Sequence, residues 1–283
     1  LGLVTGMSLP EAVAARARRP SRLAYWTQAE LVAMATDIAE VVGNAIALYL
    51  LFGLPLLWGG IVTAAVSLVL LAVQNRRGQR TFERVITGLL AVIAVGFLSS
   101  LFVDPPSPHQ VAAGLIPRFD GTESVLLATA MLGATVMPHA VYLHSGLVRD
   151  RHGQPEPGPP RRRLLAATRA DVAVAMLLAG AVNIAMLLVA ATHLQGRENT
   201  DSIEGAFYAV KDTLGAGIAL LFAIGLLASG LASTSVGAYA GAMIMEGLLE
   251  VRIPLLVRRL ITLVPALVVL GVGFDPSRAL VLS

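Results

Sequence analysis

Long apolar runs alternate along this chain with short arginine-rich segments. Seven such runs predict seven membrane-spanning helices, at about Gln28–Phe52, Leu56–Ala72, Val85–Val103, Ser124–Val148, Asp171–His193, Thr213–Met245 and Ile253–Phe274. Runs near 20 residues match a hydrocarbon core roughly 30 Å thick. The stretch Ser124–Val148 holds 25 residues without Asp, Glu, Lys or Arg, and Thr213–Met245 holds 33. The second is too long for one upright span, so it must tilt, kink at a glycine or project past the lipid. Before the first run, Ser8-Leu9-Pro10-Glu11 has the form of a capping box with an early proline. It predicts a short interfacial helix to about Arg18.

Composition agrees with this pattern. The chain has 283 residues, of which 56% are hydrophobic and 14% charged, with a mean hydropathy of +0.75. A soluble domain carries about 25% charged residues. The predicted class is therefore an all-α polytopic membrane protein, a single transmembrane domain over residues 1–283. There is no cysteine, which excludes disulfides, zinc–thiolate sites and thiol catalysis. No Walker loop, HExxH zinc motif or dinucleotide fingerprint is present, so nothing supports an enzyme.

The charge distribution sets an orientation. Net charge is +3, but the arginines cluster between apolar runs rather than along one face, which argues against nucleic acid as a partner. Arg16, Arg18, Arg19 and Arg22 precede the first run; Arg76, Arg77, Arg80 and Arg84 separate the second and third. Arg149, Arg151, Arg161, Arg162, Arg163 and Arg169 follow the fourth, and Arg252, Arg258 and Arg259 open the seventh. If the spans alternate, these 17 of 21 basic residues share one side, leaving Arg118, Arg197, Lys211 and Arg278 on the other. The positive-inside rule puts the arginine-rich side in the cytoplasm. The Pro/Gly-rich segment His152–Pro160 joins two spans and is expected to be a mobile loop.

Two spans carry candidate chemistry. Glu30, Asp37 and Glu40 lie on one stripe of the first, where ionisable groups are costly and face an aqueous path or a partner. They read either as a proton route and cation vestibule or as structural partners of arginines elsewhere. In the fourth span, Pro138 interrupts the helix between Met137 and His139. Lipid does not tolerate an unsatisfied backbone, so the break must face protein, water or a ligand. It frees carbonyls near Ala134 and Thr135. First-row divalent metals such as Mn²⁺ or Fe²⁺ accept oxygen, imidazole and thioether ligands, whereas Mg²⁺ and Ca²⁺ prefer hard oxygen. Met137 is then either a soft ligand or plain packing. His139 is read as a proton acceptor, and His144, near the cytoplasmic end, as a gate or cap. Arg258 and Arg259 either snorkel to the interface or pair with Asp37 or Glu40. Ser229–Ser235 reads as small residues for close helix packing.

These residues carry a family resemblance. Ala134-Thr135-Val136-Met137-Pro138-His139, with Tyr142-Leu143-His144-Ser145, resembles the sixth-helix signature of the Nramp family of proton-coupled divalent metal transporters. Gln28-Ala29-Glu30-Leu31, continuing through Asp37 and Glu40 to Gly43, is similar to that family's third helix. Thr5–Glu11 resembles the segment after its second, and Arg258–Thr262 with Pro265 its ninth. Within the family the chain looks like the bacterial manganese transporters. The resemblance implies a LeuT-like fold of two inverted repeats, with the seven spans as family helices three to nine. It implies metal ligation by the Met137 sulfur and the Ala134 carbonyl. It also implies a proton pathway through His139, Asp37, Glu40, Arg258 and Arg259, with Glu30 and His144 at a vestibule or gate. The family's first-helix Asp-Pro-Gly-Asn motif has no match here, and Ala140 stands where an Asn is common.

The expectation is therefore an internal fragment of a proton-coupled importer of Mn²⁺ or Fe²⁺, working by alternating access. Its partners are the metal ion, protons and the lipid bilayer, and no resident cofactor is expected. A LeuT-fold carrier of an organic substrate such as an amino acid, or a truncated remnant that does not transport, are the alternatives.

Overall fold

The structure is a computed structural model that describes residues 1–282 except 78, 104, 106, 115, 117–120 and 198; for 73–83, 100, 110, 113 and 282 it describes no side chains. Arg76, Arg77, Arg80 and Arg118 thus lie outside the described side chains. Among the described residues every regular element is a helix. They run α1 (Gly2–Thr5), α2 (Leu9–Ala14), α3 (Arg19–Phe52), α4 (Leu56–Arg77), α5 (Gln79–Val103), α6 (Pro108–Gly114) and α7 (Gly121–Thr135). There follow α8 (Pro138–His152), α9 (Pro159–Val189) with a widened π turn at Ala190–Leu194, α10 (Ile203–Leu214), α11 (Ala216–Leu249), α12 (Leu255–Val272) and α13 (Pro276–Leu282).

Among the described residues six stretches are long and apolar enough to cross a membrane: Arg19–Phe52, Arg84–Val103, Gly121–His152, Pro159–Leu194, Ala216–Leu249 and Leu255–Val272. The shorter apolar helix Leu56–Ala72 supplies the remaining predicted span, the second along the chain. Two boundaries differ from the apolar pattern. The 33-residue run does not begin at Thr213, because Gly215 takes φ 91 and ψ 164 and divides α10 from α11. A side chain is strained in that backbone region, so glycine ends one helix and starts the next. The N-terminal interfacial helix is also shorter than expected. The Ser8/Glu11 capping box forms with Pro10 in the first turn, but α2 stops at Ala14 and α3 restarts at Arg19.

The core sits where α3, α4 and α12 meet. Val41, Val42, Ala45 and Ile46 pack there on Ala64 and on Leu263, Ala266 and Leu270. A second cluster joins Ala29 to Ile244 and Leu248, with Trp26 and Tyr142 against it. Side-chain register fixes helix directions. Asp37, Glu40 and Asn44 of α3 face Gly237, Ser233 and Gly230 of α11 in descending order, so these two run antiparallel. Asp37 meets Arg259 while Val41–Ile46 meet Leu263–Leu270, so α3 and α12 run parallel. Both directions agree with regular alternation of the seven spans. The outer faces are apolar: Leu126, Leu127 and Leu132 on α7 and Val174, Met176, Leu177 and Ile184 on α9 are all exposed. Such patches are rare on water-facing surfaces and ordinary on lipid-facing ones.

Candidate functional site: a broken helix beside a buried charge network

The helix break lies where the sequence puts it. Regular structure ends at Thr135, and Met137 takes φ −92 and ψ 103 before α8 starts on Pro138. Because proline has no N–H, the Ala134 carbonyl loses its helical donor. The main chain closes locally instead, with Val136 N donating to Leu132 O at 2.9 Å and Ala140 N to Met137 O at 3.1 Å. Met137 is half-buried and Ala134 is exposed, whereas His139, the second residue of α8, is 2% exposed. Among the described residues no group of three or more His, Cys, Asp or Glu is placed to hold a metal ion. At the break itself the chain offers a thioether and main-chain oxygens.

Behind the break lies a network of buried charge. Arg259 is fully buried and its Nη1 lies 2.6 Å from Asp37 Oδ1. Its Nε donates to Ser67 Oγ of α4 at 3.2 Å. Arg258, 3% exposed, donates through Nη2 to both carboxylate oxygens of Glu30 at 2.7 Å, and through Nη1 to the Ala238 carbonyl at 3.4 Å. Its guanidinium fits because residue 241 is glycine; a Cβ there would run into it. Glu40 accepts a hydrogen bond from the Ser233 hydroxyl of α11. His139 lies within electrostatic reach of Asp37 and Arg258, and Glu40 within reach of Asp37 and Arg259.

The arrangement decides several readings that the sequence left open. Neither arginine snorkels; each is buried on a different carboxylate, Arg259 on Asp37 and Arg258 on Glu30 rather than on Glu40. Glu30 joins the network as the partner of Arg258. Ser229–Ser235 does more than pack, since Ser233 holds Glu40. His144 is exposed on α8 and stands apart from these pairs. One partner, Ser67, and one buried polar neighbour, Asn44, were missed. Ser67 gave no signal, being one hydroxyl in an apolar run. Asn44 continues the stripe of Asp37 and Glu40 at helical spacing and is fully buried, a signal the sequence did contain.

At the arginine-rich end, several ion pairs tie the helices together. Arg22 of α3 meets Glu250 at 2.9 Å and also donates to the Leu248 carbonyl at 2.6 Å. Arg149 of α8 pairs with Glu11 of α2, and Arg252 with Glu246 at 2.7 Å. A cavity of about 440 Å³ lies among Glu11, Arg149, Asp150, Tyr239, Glu246 and Arg252.

Fold and site together define a multi-pass α-helical membrane protein built around a broken helix and buried ion pairs. Residues 1–283 match the family described as natural resistance-associated macrophage protein-like, Nramp, and the chain belongs to that family. It is 71% identical over 283 residues to a Mycobacterium tuberculosis protein named "Divalent metal cation transporter MntH", covering 100% of this chain and 66% of that one. It is 45% identical to a Deinococcus radiodurans protein of the same name, covering 65% of it. The fold matches a crystal structure of the Eremococcus coleocola manganese transporter in complex with an aromatic bis-isothiourea substituted compound. That match has a TM-score of 0.84 and 32% identity, over 99% of this chain and 63% of the other. The chain thus spans slightly under two thirds of the length of these relatives.

Proposed function

We propose that this chain forms part of a transporter that imports divalent transition metal ions, Mn²⁺ or Fe²⁺, together with protons. The observation that carries the reading is the break at Met137–Pro138, which offers a thioether and a freed carbonyl at mid-span beside a buried charge network. A thioether favours Mn²⁺ and Fe²⁺ over Ca²⁺ and Mg²⁺. Met137 and the Ala134 carbonyl are the metal ligands on this chain. Met137 is half-buried and Ala134 exposed, so the ion completes its shell from groups outside the described set.

His139, Asp37 and Glu40 move protons, and the Arg259–Asp37 and Arg258–Glu30 pairs form the route toward the arginine-rich end. A carboxylate paired with a buried arginine exchanges its proton only when that pairing changes, which couples proton movement to helix movement. The arginine-rich end faces the cytoplasm, and α8 and His144 border the path that opens there. The names of the mycobacterial and Deinococcus relatives support the metal reading, and that of the Eremococcus relative supports manganese.

The deciding measurement is uptake into liposomes by the full-length protein carrying Met137→Ala. Discrimination of Mn²⁺ against Ca²⁺ should fall by about tenfold or more, the loss of one ligand preference worth about 1.4 kcal/mol. Unchanged selectivity removes Met137 from the ligand set. Amino-acid uptake without metal uptake would replace this reading by an organic-substrate carrier, whose carboxylate would bind the half-helix N-terminus at α8.

A further inference from the structure

The charge network does not end at Glu40. One helical turn further along α3, Asn44 is completely buried, and neither its Oδ1 nor its Nδ2 has a hydrogen-bond partner. Glu40 uses Oε1 on Ser233, while its Oε2 is buried without a partner. The two residues are four apart on one helix, so their side chains are neighbours. Both face α11, with Glu40 against Ser233 and Asn44 against Gly230. A Cβ at residue 230 would overlap the Asn44 amide, so glycine makes the seat in which this amide lies. Buried polar groups normally carry a partner, and unpaired ones call for an explanation.

We propose that Asn44 is the positioning residue for Glu40: it hydrogen-bonds the free carboxyl oxygen, directly or through one buried water, in both proton states of that carboxyl. The inference rests on the proton-pathway reading of Glu40. Its chemical basis is the amide itself. A carboxylate needs a donor and a carboxylic acid needs an acceptor; an amide offers both, Nδ2 for the first and Oδ1 for the second. A hydrocarbon offers neither, and a second carboxylate would add a charge. Glu40 can then take up and release a proton without leaving a bare polar atom in the membrane interior in either state. Beyond Asn44 the core side of α3 turns apolar at Ala45, Ile46, Ala47 and Leu48, so Asn44 closes the network at that end.

Other charged groups act on the same carboxyl. These are Asp37 on the same helix and Arg259 from α12; around them, His139 of α8 lies within reach of Asp37 and of Arg258, which pairs with Glu30. Each stays in place in a variant confined to residue 44.

The test uses the full-length protein with Asn44→Leu, Asn44→Ser, Glu40→Gln and the double variant Asn44→Leu/Glu40→Gln. The infrared band of the protonated Glu40 carboxyl, assigned by its disappearance in Glu40→Gln, should move to higher frequency in Asn44→Leu as the acid loses its acceptor. In Asn44→Ser, whose hydroxyl both donates and accepts, it should stay near the parent's. This readout requires no transport, so it separates failure of the Asn44 inference from failure of the transport reading. In flux measurements, Asn44→Leu should lower metal-driven proton movement about tenfold in the parent but less than about twofold in the Glu40→Gln background. An unmoved carboxyl band in a folded Asn44→Leu protein, or the same fold-loss in both backgrounds, overturns the proposal. If Asn44→Leu does not fold, an Asn44→Ala band that matches the parent's overturns it equally.

Discussion

At the scale of single residues, Arg259 and Asp37 govern the site. Both are nearly inaccessible and 2.6 Å apart. Removing one member of a buried pair strands the other charge and costs about 3–5 kcal/mol, whereas replacing both with apolar groups is often close to neutral. Arg259→Met alone should therefore lower thermal stability in detergent strongly, and Asp37→Leu combined with Arg259→Met should recover most of the loss. Equal destabilisation by the single and double variants would mean that the pair does not act as a unit. Asp37→Asn tests the proton role separately. It keeps the shape of the side chain and one acceptor for Arg259, and it should reduce acidification driven by metal uptake in proteoliposomes. Equal proton flux in variant and parent would take Asp37 out of the pathway.

At the scale of elements, α2 clamps α8, the C-terminal half of the broken helix. Ser8 and Glu11 cap α2 reciprocally, Leu9 N donates to Ser145 Oγ of α8 at 2.8 Å, and Arg149 of α8 pairs with Glu11. Burial alone would push the Glu11 carboxyl up. Arg149 and Ser8 outweigh it and hold the carboxyl below the ordinary glutamate value of 4.5. A depressed carboxylate contributes its stabilisation in full above the ordinary value and loses it as pH falls through its own, lower value. The clamp should thus be intact at neutral pH and loosen only in more acidic solution than an unpaired glutamate would need. Ser8→Ala should weaken the cap by about 1 kcal/mol. Amide exchange across Leu9–Ala14 should then speed up about fivefold while α12 is unaffected. No change at neutral pH would show that the cap is redundant with the Arg149 pair.

At the scale of the whole molecule, the ion pairs of Arg22, Arg149 and Arg252 gather at one end of the bundle, and the helix directions fit seven alternating spans. The protein contains no cysteine, so single-cysteine labelling starts from a blank background. A cysteine replacing Arg163, which follows the fourth span, should react with a membrane-impermeant reagent only after the cells are opened. A cysteine replacing Arg197, which precedes the sixth, should react in intact cells. The reverse pattern would invert the orientation, and labelling of both from one side would contradict the alternation.

What the sequence determined by itself was the set of apolar, arginine-flanked spans and the break at Pro138. These follow from local causes: apolar length set against lipid thickness, charge between runs, and a residue that cannot donate a hydrogen bond. The family resemblance was legible for the same reason, because the residues around the break are contiguous. Pairing was not legible. Arg258 and Arg259 are adjacent in sequence yet point to different carboxylates, since neighbouring helical residues face directions about 100° apart. Only the packing of α12 against α3 and α4 decides that Arg259 meets Asp37 and Ser67 while Arg258 meets Glu30 in the space left at Gly241. The boundary at Gly215 likewise depends on a backbone turn that hydropathy does not register. Composition and periodicity fix which surfaces must be buried, but the partner each buried charge finds is a property of helix register, which exists only in the folded bundle.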